Sequence, residues 1–313
     1  MPMSLFSRQD TSVVGLDIDG EYLAAAVVDD GSIGRMASVD LPKGVTHDGE
    51  VTDAAGLTMA LKEMFETYKL PKRVRLGVVN QQIVVRQLDL PLIADPTERD
   101  AAVRFQAADA IAMPLDEAVL DFVTIGAHET TDGAVRERVL VVAARLSMIT
   151  ALVEAVKAAG LKPDGVDLSA FALVRMLGES GTAALDPDHP ARAICHLGGV
   201  TNLAIAIGEN CVFTRPLQTP WEDDEAVANS VAEEVRLSLD FYSASPDARR
   251  VESMVLSGPG AEHASIRDAV AQRTGLEVSL AAPLGSLGAH TVPSLDDPFR
   301  YTVAAGLAVG SQS

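Results

Sequence analysis

The chain has 313 residues, long enough for two domains with cores of their own. Acidic residues outnumber basic ones 44 to 25, and the net charge of −19 argues against nucleic acid or an anionic membrane as the main partner. Hydrophobic residues make up 48% and aromatics only 4%, a balance that fits an α/β protein of buried strands and Ala-lined helices.

Residues 1–10 lack the apolar core of a signal peptide, so a loose tail is expected there. No apolar run of about 20 residues predicts a membrane helix, so the expectation is a soluble, cytoplasmic chain. Residues 13–41 read as three antiparallel strands, with turns at Asp19-Gly20-Glu21 and Asp29-Asp30-Gly31. Leu57, Leu61, Met64 and Phe65 have helical spacing over residues 53–68. A block with its own rhythm follows. Strands are predicted over 73–79 and 83–88, and a helix over 96–112 with Pro96 in its first turn. Strands over 119–125 and 136–144 flank the loop HETTDG, and a helix over 147–159 ends at Gly160. This ββαββα unit, residues 72–162, reads as an inserted subdomain. The run KPDGVDLSAFALVRML predicts a strand and a helix, and the polar stretch 178–192 a boundary.

Residues 192–217 then repeat the opening pattern, with turns at Gly198-Gly199 and Gly208-Glu209-Asn210. A long helix is predicted over 223–243, then the strand ESMVL, the turn LSGPG, a helix over 262–274 and the short strand LEVSL. The final YTVAAGLAVG reads as a helix whose small residues suit close packing between two halves. Cys195 and Cys211 fall within the second meander and read as reduced core thiols. Two Gly-rich turns, one per half of a duplicated fold, form an anion nest if they face each other across a cleft. The turn at residues 256–260 is a third place for a nucleotide.

This layout resembles the actin-like superfamily (a ribonuclease H-like, two-lobed α/β fold of duplicated meander-plus-helix halves). Within it, the chain is similar to the PilM family of type IV pilus assembly proteins. The resemblance rests on ERDAAVRFQAADAIAMPLDEAVLDFVTIG, VLVVAARLSMITALVEAVKAAGLKPDGVDLSAFALVRML, RLSLDFYSASPDARRVESMVLSGPG and YTVAAGLAVG, in that order. It implies a first lobe over 1–190, a second over 191–290, and a segment over 291–313 returning to the first. It also implies ATP with Mg²⁺ between the lobes. The implied partner is the cytoplasmic tail of a PilN-like inner-membrane protein, held in a groove beside the insertion. That places the chain in the cytoplasm, peripheral to the membrane through the partner, with ring-like self-association and no membrane insertion of its own.

On that resemblance the nucleotide residues are Asp17, Asp19, Gly20, Gly198, Gly199, Thr201, Asn202, Glu234, Gly258 and Gly260, with Asp17 ordering the metal through water. The family's first turn reads Asp-Ile-Gly-Ser with a Lys beyond it; here Asp19 stands at the Gly and Ala24 at the Lys. Two unit charges about 4 Å apart at an effective dielectric near 20 repel by roughly 4 kcal/mol, so Asp19 opposes phosphate. His196 replaces the Asp of the second turn, Thr219-Pro220-Trp221 replaces a Gly-Gly loop, and Pro259 removes an N–H donor. The expectation is a scaffold with a degraded nucleotide site and weak or lost hydrolysis. An altered metal arrangement at Asp19 or His196 is the alternative for that site. Rival readings are an active ATPase of the same family, an FtsA-like division protein, disfavoured by the end at VGSQS, and a small-molecule kinase. For the partner, the strand over 83–88 offers an edge for an extended peptide, with Arg86 and Arg104 beside it; surface ion pairing is the plainer role of both arginines.

Overall fold

A computed structural model describes residues 12–29, 31–130, 133–179, 188–245, 248–282, 284, 287 and 297–310. The N-terminal tail, Asp30, part of HETTDG, much of the predicted boundary stretch and residues 311–313 of the end VGSQS lie outside the described residues.

The opening meander forms as expected: β1 (Val14–Ile18), β2 (Tyr22–Asp29) and β3 (Ser32–Asp40) pair antiparallel in sequence. A small hairpin, β4 (Thr46–His47) and β5 (Glu50–Val51), leads into α1 (Ala54–Thr67). Asp53 caps that helix by accepting from the Gly56 N–H. The strand β6 (Arg73–Val78) runs parallel to β1, and β10 (Lys162–Leu168) lies parallel to β6, giving the sheet order β10-β6-β1-β2-β3. The second sheet repeats this plan. Its meander is β11 (Ala191–His196), β12 (Asn202–Ile207) and β13 (Asn210–Pro216). With β14 (Val251–Ser257) and β15 (Glu277–Leu280) parallel to β11, its order is β13-β12-β11-β14-β15. The long helix α5 (Glu225–Ser243), capped by Asp224, and α6 (Ala264–Thr274) cover this sheet through Val231, Val235, Ile266 and Val270.

The elements of the predicted ββαββα block occur in that order, but they divide between two bodies. Because β6 hydrogen-bonds to β1, it belongs to the first lobe's sheet. The helix α3 (Leu146–Ala158) also stays with the first lobe, burying Leu152, Ala155 and Val156 against the cluster of α1. What projects is β7 (Val84–Pro91), α2 (Pro96–Ala110), β8 (Ala118–Glu129) and β9 (Val135–Arg145), with strand order β7-β9-β8. One face of that sheet packs Leu90, Val139, Val141 and Ala143 against Val103 and Ala107 of α2.

Two helices tie the lobes together by crossing over. α4 (Ser169–Leu177) follows the first sheet yet packs on Ile194, Ala204, Ala206 and Cys211 of the second. α7 (Thr302–Val309) follows the second sheet yet lies on the first, beside Tyr22, Ala24 and Ala26. Small residues permit this. A Cβ at Gly306 would overlap the Ala172 backbone, and one at Gly15 would overlap the Ala304 carbonyl. Both cysteines are buried and free, and burial pushes each thiol up to about 12. Since the thiolate is the reactive form, Cys195 is expected to resist iodoacetamide at pH 8 in folded protein and to alkylate readily in guanidinium; mass spectrometry reads the difference.

Candidate functional site

The two Gly-rich turns face each other. Asp17 lies near the end of β1, and Gly20 has φ +107°, which only glycine adopts readily, so the chain doubles back at once into β2. In the second lobe His196 ends β11, level with Ser257 on β14. The Asp19 carboxylate reaches across and accepts a hydrogen bond from the Gly199 N–H. A Cβ at Gly198 or Gly199 would collide with that carboxylate, so the second turn is shaped around it. The Asp19 Oδ2 also faces His196 Nε2 at 3.9 Å, and His196 Nδ1 lies 3.4 Å from Ser257 Oγ. Asp17, Asp19 and His196 are buried, exposed by 4%, 6% and 3%. Burial, then the Asp19 charge, holds the Asp17 carboxyl well above the usual carboxylate range. The Tyr22 hydroxyl is pushed up by burial and by the same two carboxylates.

Most of the remaining predicted nucleotide residues are engaged within the chain or overlain. Glu234 accepts from the Gln218 N–H at 2.7 Å, the Thr219 N–H at 3.0 Å and the Thr219 hydroxyl at 2.5 Å, fastening the loop before α5. Asn202 Oδ1 accepts from the Thr214 hydroxyl at 3.2 Å, while the buried Thr201 hydroxyl has no hydrogen-bond partner among the described residues. Trp221 lies over Gly260, where an added Cβ would strike its ring, and its centroid is 5.3 Å from that of His263. Gly258 has φ +85° and sits so close to the Leu197 backbone that no side chain fits. Ala24 is fully buried with Tyr22, Ala304 and Ala305, so a Lys there would enter an apolar cluster.

A separate groove of about 590 Å³ lies between the projecting sheet, the first lobe and the β12–β13 turn of the second lobe. The cross-strand pairs Val119–Ala144, Asp121–Val142 and Val123–Leu140 share the face that lines it, the face opposite α2. The other wall is β10, with Val166, and α4, with Phe171 and Val174. Both β8 and β10 end their sheets, so each presents an edge to this space.

A family model described as type IV pilus assembly protein PilM matches residues 23–219 and 225–312. The chain belongs to the PilM family. A solved structure described as a PilM-PilN type IV pilus biogenesis complex is 22% identical, with TM-score 0.83, over 96% of this chain and 98% of that one. The cytoplasmic domain of EpsL, an inner-membrane component of the type II secretion system of Vibrio cholerae, is 13% identical with TM-score 0.53 over 97% of both chains. The ethanolamine utilization protein EutJ from Carboxydothermus hydrogenoformans has the same identity and TM-score over 95% of this chain and 88% of that one. These likenesses establish the actin-like fold.

Sequence reading did not single out the valines of this groove. Val119, Val123 and Val166 are 39%, 47% and 38% exposed, an unusual state for strand valines. The expected pair lies elsewhere. Arg86 is level with Val141, on the α2 side of the sheet, and donates to the Val85 carbonyl at 2.9 Å. Arg104 pairs with Asp100 at 2.8 Å on the exposed face of α2. No helix of the described residues is long and apolar enough to cross a membrane.

Proposed function

We propose that this chain is an actin-like scaffold of the type IV pilus inner-membrane platform, holding the cytoplasmic N-terminal tail of a PilN-like protein in the groove between β8 and β10. The observation that carries this reading is an apolar groove bounded by two strand edges. An extended tail gains main-chain hydrogen bonds from either edge, while alternate side chains enter the valine-lined space. The lining charges are Arg75, Arg175, Asp121, Asp164, Asp167 and Glu209, an acidic excess that favours a tail carrying a basic residue. Recruitment through that tail keeps the chain in the cytoplasm beside the membrane.

The nucleotide cleft, on this reading, is self-closed. The residues present do not fit a nucleoside triphosphate with Mg²⁺. Phosphate would have to expel Asp19 from the Gly199 N–H and then lie beside two buried carboxylates. A single carboxylate charge at about 4 Å contributes roughly 4 kcal/mol of repulsion. The scaffold therefore works without turnover.

Calorimetry with a peptide of a PilN-like N-terminal tail from the same organism tests the reading, with ATP and Mg²⁺ titrated in parallel. Micromolar peptide binding and no heat from ATP are expected. Absence of peptide binding would sink the scaffold proposal, and micromolar ATP binding would return an active ATPase to first place.

A further inference from the structure

The cleft brings together three potential metal ligands. Ligand atoms of Asp17, Asp19 and His196 all lie within 4.8 Å of one another, and all three residues are buried. Asp17 Oδ2 and His196 Nε2 have no hydrogen-bond partner among the described residues. A buried polar atom left unpartnered costs roughly 1–3 kcal/mol, more when charged, so two such atoms in one buried cluster require an explanation. Arg300, stacked 4.8 Å from the Tyr22 ring centre, has its charge answered by Asp40 at 2.6 Å and Asp297 at 3.5 Å.

We propose that Asp17, Asp19 and His196 form a divalent transition-metal site, zinc by preference, that clasps the two lobes together in the absence of nucleotide. Three features of the geometry support it. Two ligands each about 2.1 Å from one tetrahedral ion stand roughly 3.4 Å apart, and the Asp19 Oδ2 to His196 Nε2 separation is 3.9 Å. The outer contacts are also in place. Asp19 is oriented by the Gly199 N–H through its other oxygen, and Ser257 Oγ lies where it can accept from His196 Nδ1–H. With Nδ1–H donating to Ser257 Oγ, the Nε2 lone pair faces the Asp19 carboxylate. The charge closes as well, because a dication balances two carboxylates in a buried space. Imidazole suits zinc and its transition-metal neighbours, whereas Mg²⁺ prefers oxygen ligands and keeps its water.

Asp17 and Asp19 come from the first lobe and His196 from the second. Bound metal therefore restrains lobe opening. This inference is independent of tail binding.

The test is titration of EDTA-stripped full-length protein with ZnCl₂ or MgCl₂ by calorimetry, with thermal melts alongside. Expected are about one equivalent of Zn²⁺ at micromolar affinity or better, a rise in Tm, and no heat from Mg²⁺ under the same conditions. Asp17→Asn and His196→Ala should each weaken Zn²⁺ at least tenfold. His263→Ala, at the surface pair with Asp223, should leave binding unchanged. Co²⁺ bound to the parent protein should give visible absorption of nitrogen and oxygen ligation, a readout that needs no variant to fold. Absence of Zn²⁺ binding would overturn the proposal. So would Zn²⁺ binding that survives both Asp17→Asn and His196→Ala, or Mg²⁺ binding as tight as Zn²⁺.

Discussion

Gly306→Val is expected to leave the chain mostly unfolded or insoluble at 37 °C, with the residual folded fraction melting at least about 10 °C below the parent. At the crossing of α4 and α7 the backbones themselves touch, and the obstacle at Gly306 is the Ala172 carbonyl rather than a movable side chain. Overpacking a core costs roughly 1–3 kcal/mol where side chains can yield, and here the helices must separate. Separation would open the cluster of Ala172, Leu173, Val174, Ile194, Val303 and Leu307, which is the apolar bond between the lobes. A loss beyond about 3 kcal/mol is large against a total stability of about 5–15 kcal/mol. Gly165→Ala serves as the control. A Cβ there meets only Arg75 Nε at 3.9 Å, so its melting temperature should shift by no more than about 2 °C. A Gly306→Val protein melting with the parent would show that the helix crossing does not hold the lobes.

Local pattern made the meanders and helices legible. Alternation and turn residues placed β1, β2 and β3 and their repeat, and spacing of 3.6 placed α1 and α5 within two residues of their observed ends. Long-range partners were not legible. The run RVRLGV at β6 reads the same whether it pairs with β7 or with β1, and only the fold assigns it to β1. The Asp19 contact with Gly199 spans 180 residues, and no local rule predicts that a carboxylate in one turn will seat itself in the other. Duplication did indicate that the two turns correspond. The position of Glu234 on the long helix was also readable, but its engagement with the Gln218 and Thr219 amides was not, because that depends on how the preceding loop returns.

The groove shows the same limit and yields the second large effect. Period-2 alternation in β8 and β9 gives two apolar faces, and sequence alone does not say which one α2 covers. The structure assigns Val139 and Val141 to α2, and so leaves Val119 and Val123 facing the groove. Val123→Glu is therefore expected to weaken binding of a PilN-like tail at least tenfold, about 1.4 kcal/mol or more, because occupancy would bury its carboxylate in apolar surroundings. Val123 is 47% exposed, so the folded protein should tolerate the change with little loss of melting temperature. Val166→Glu, on the facing edge, should act in the same direction. Arg86→Ala and Arg104→Ala, on the α2 side, should bind within about twofold of the parent. Calorimetry on the four variants separates the surfaces. Loss of binding by the arginine variants with both glutamate variants unaffected would move the docking site to the opposite face of the projecting sheet.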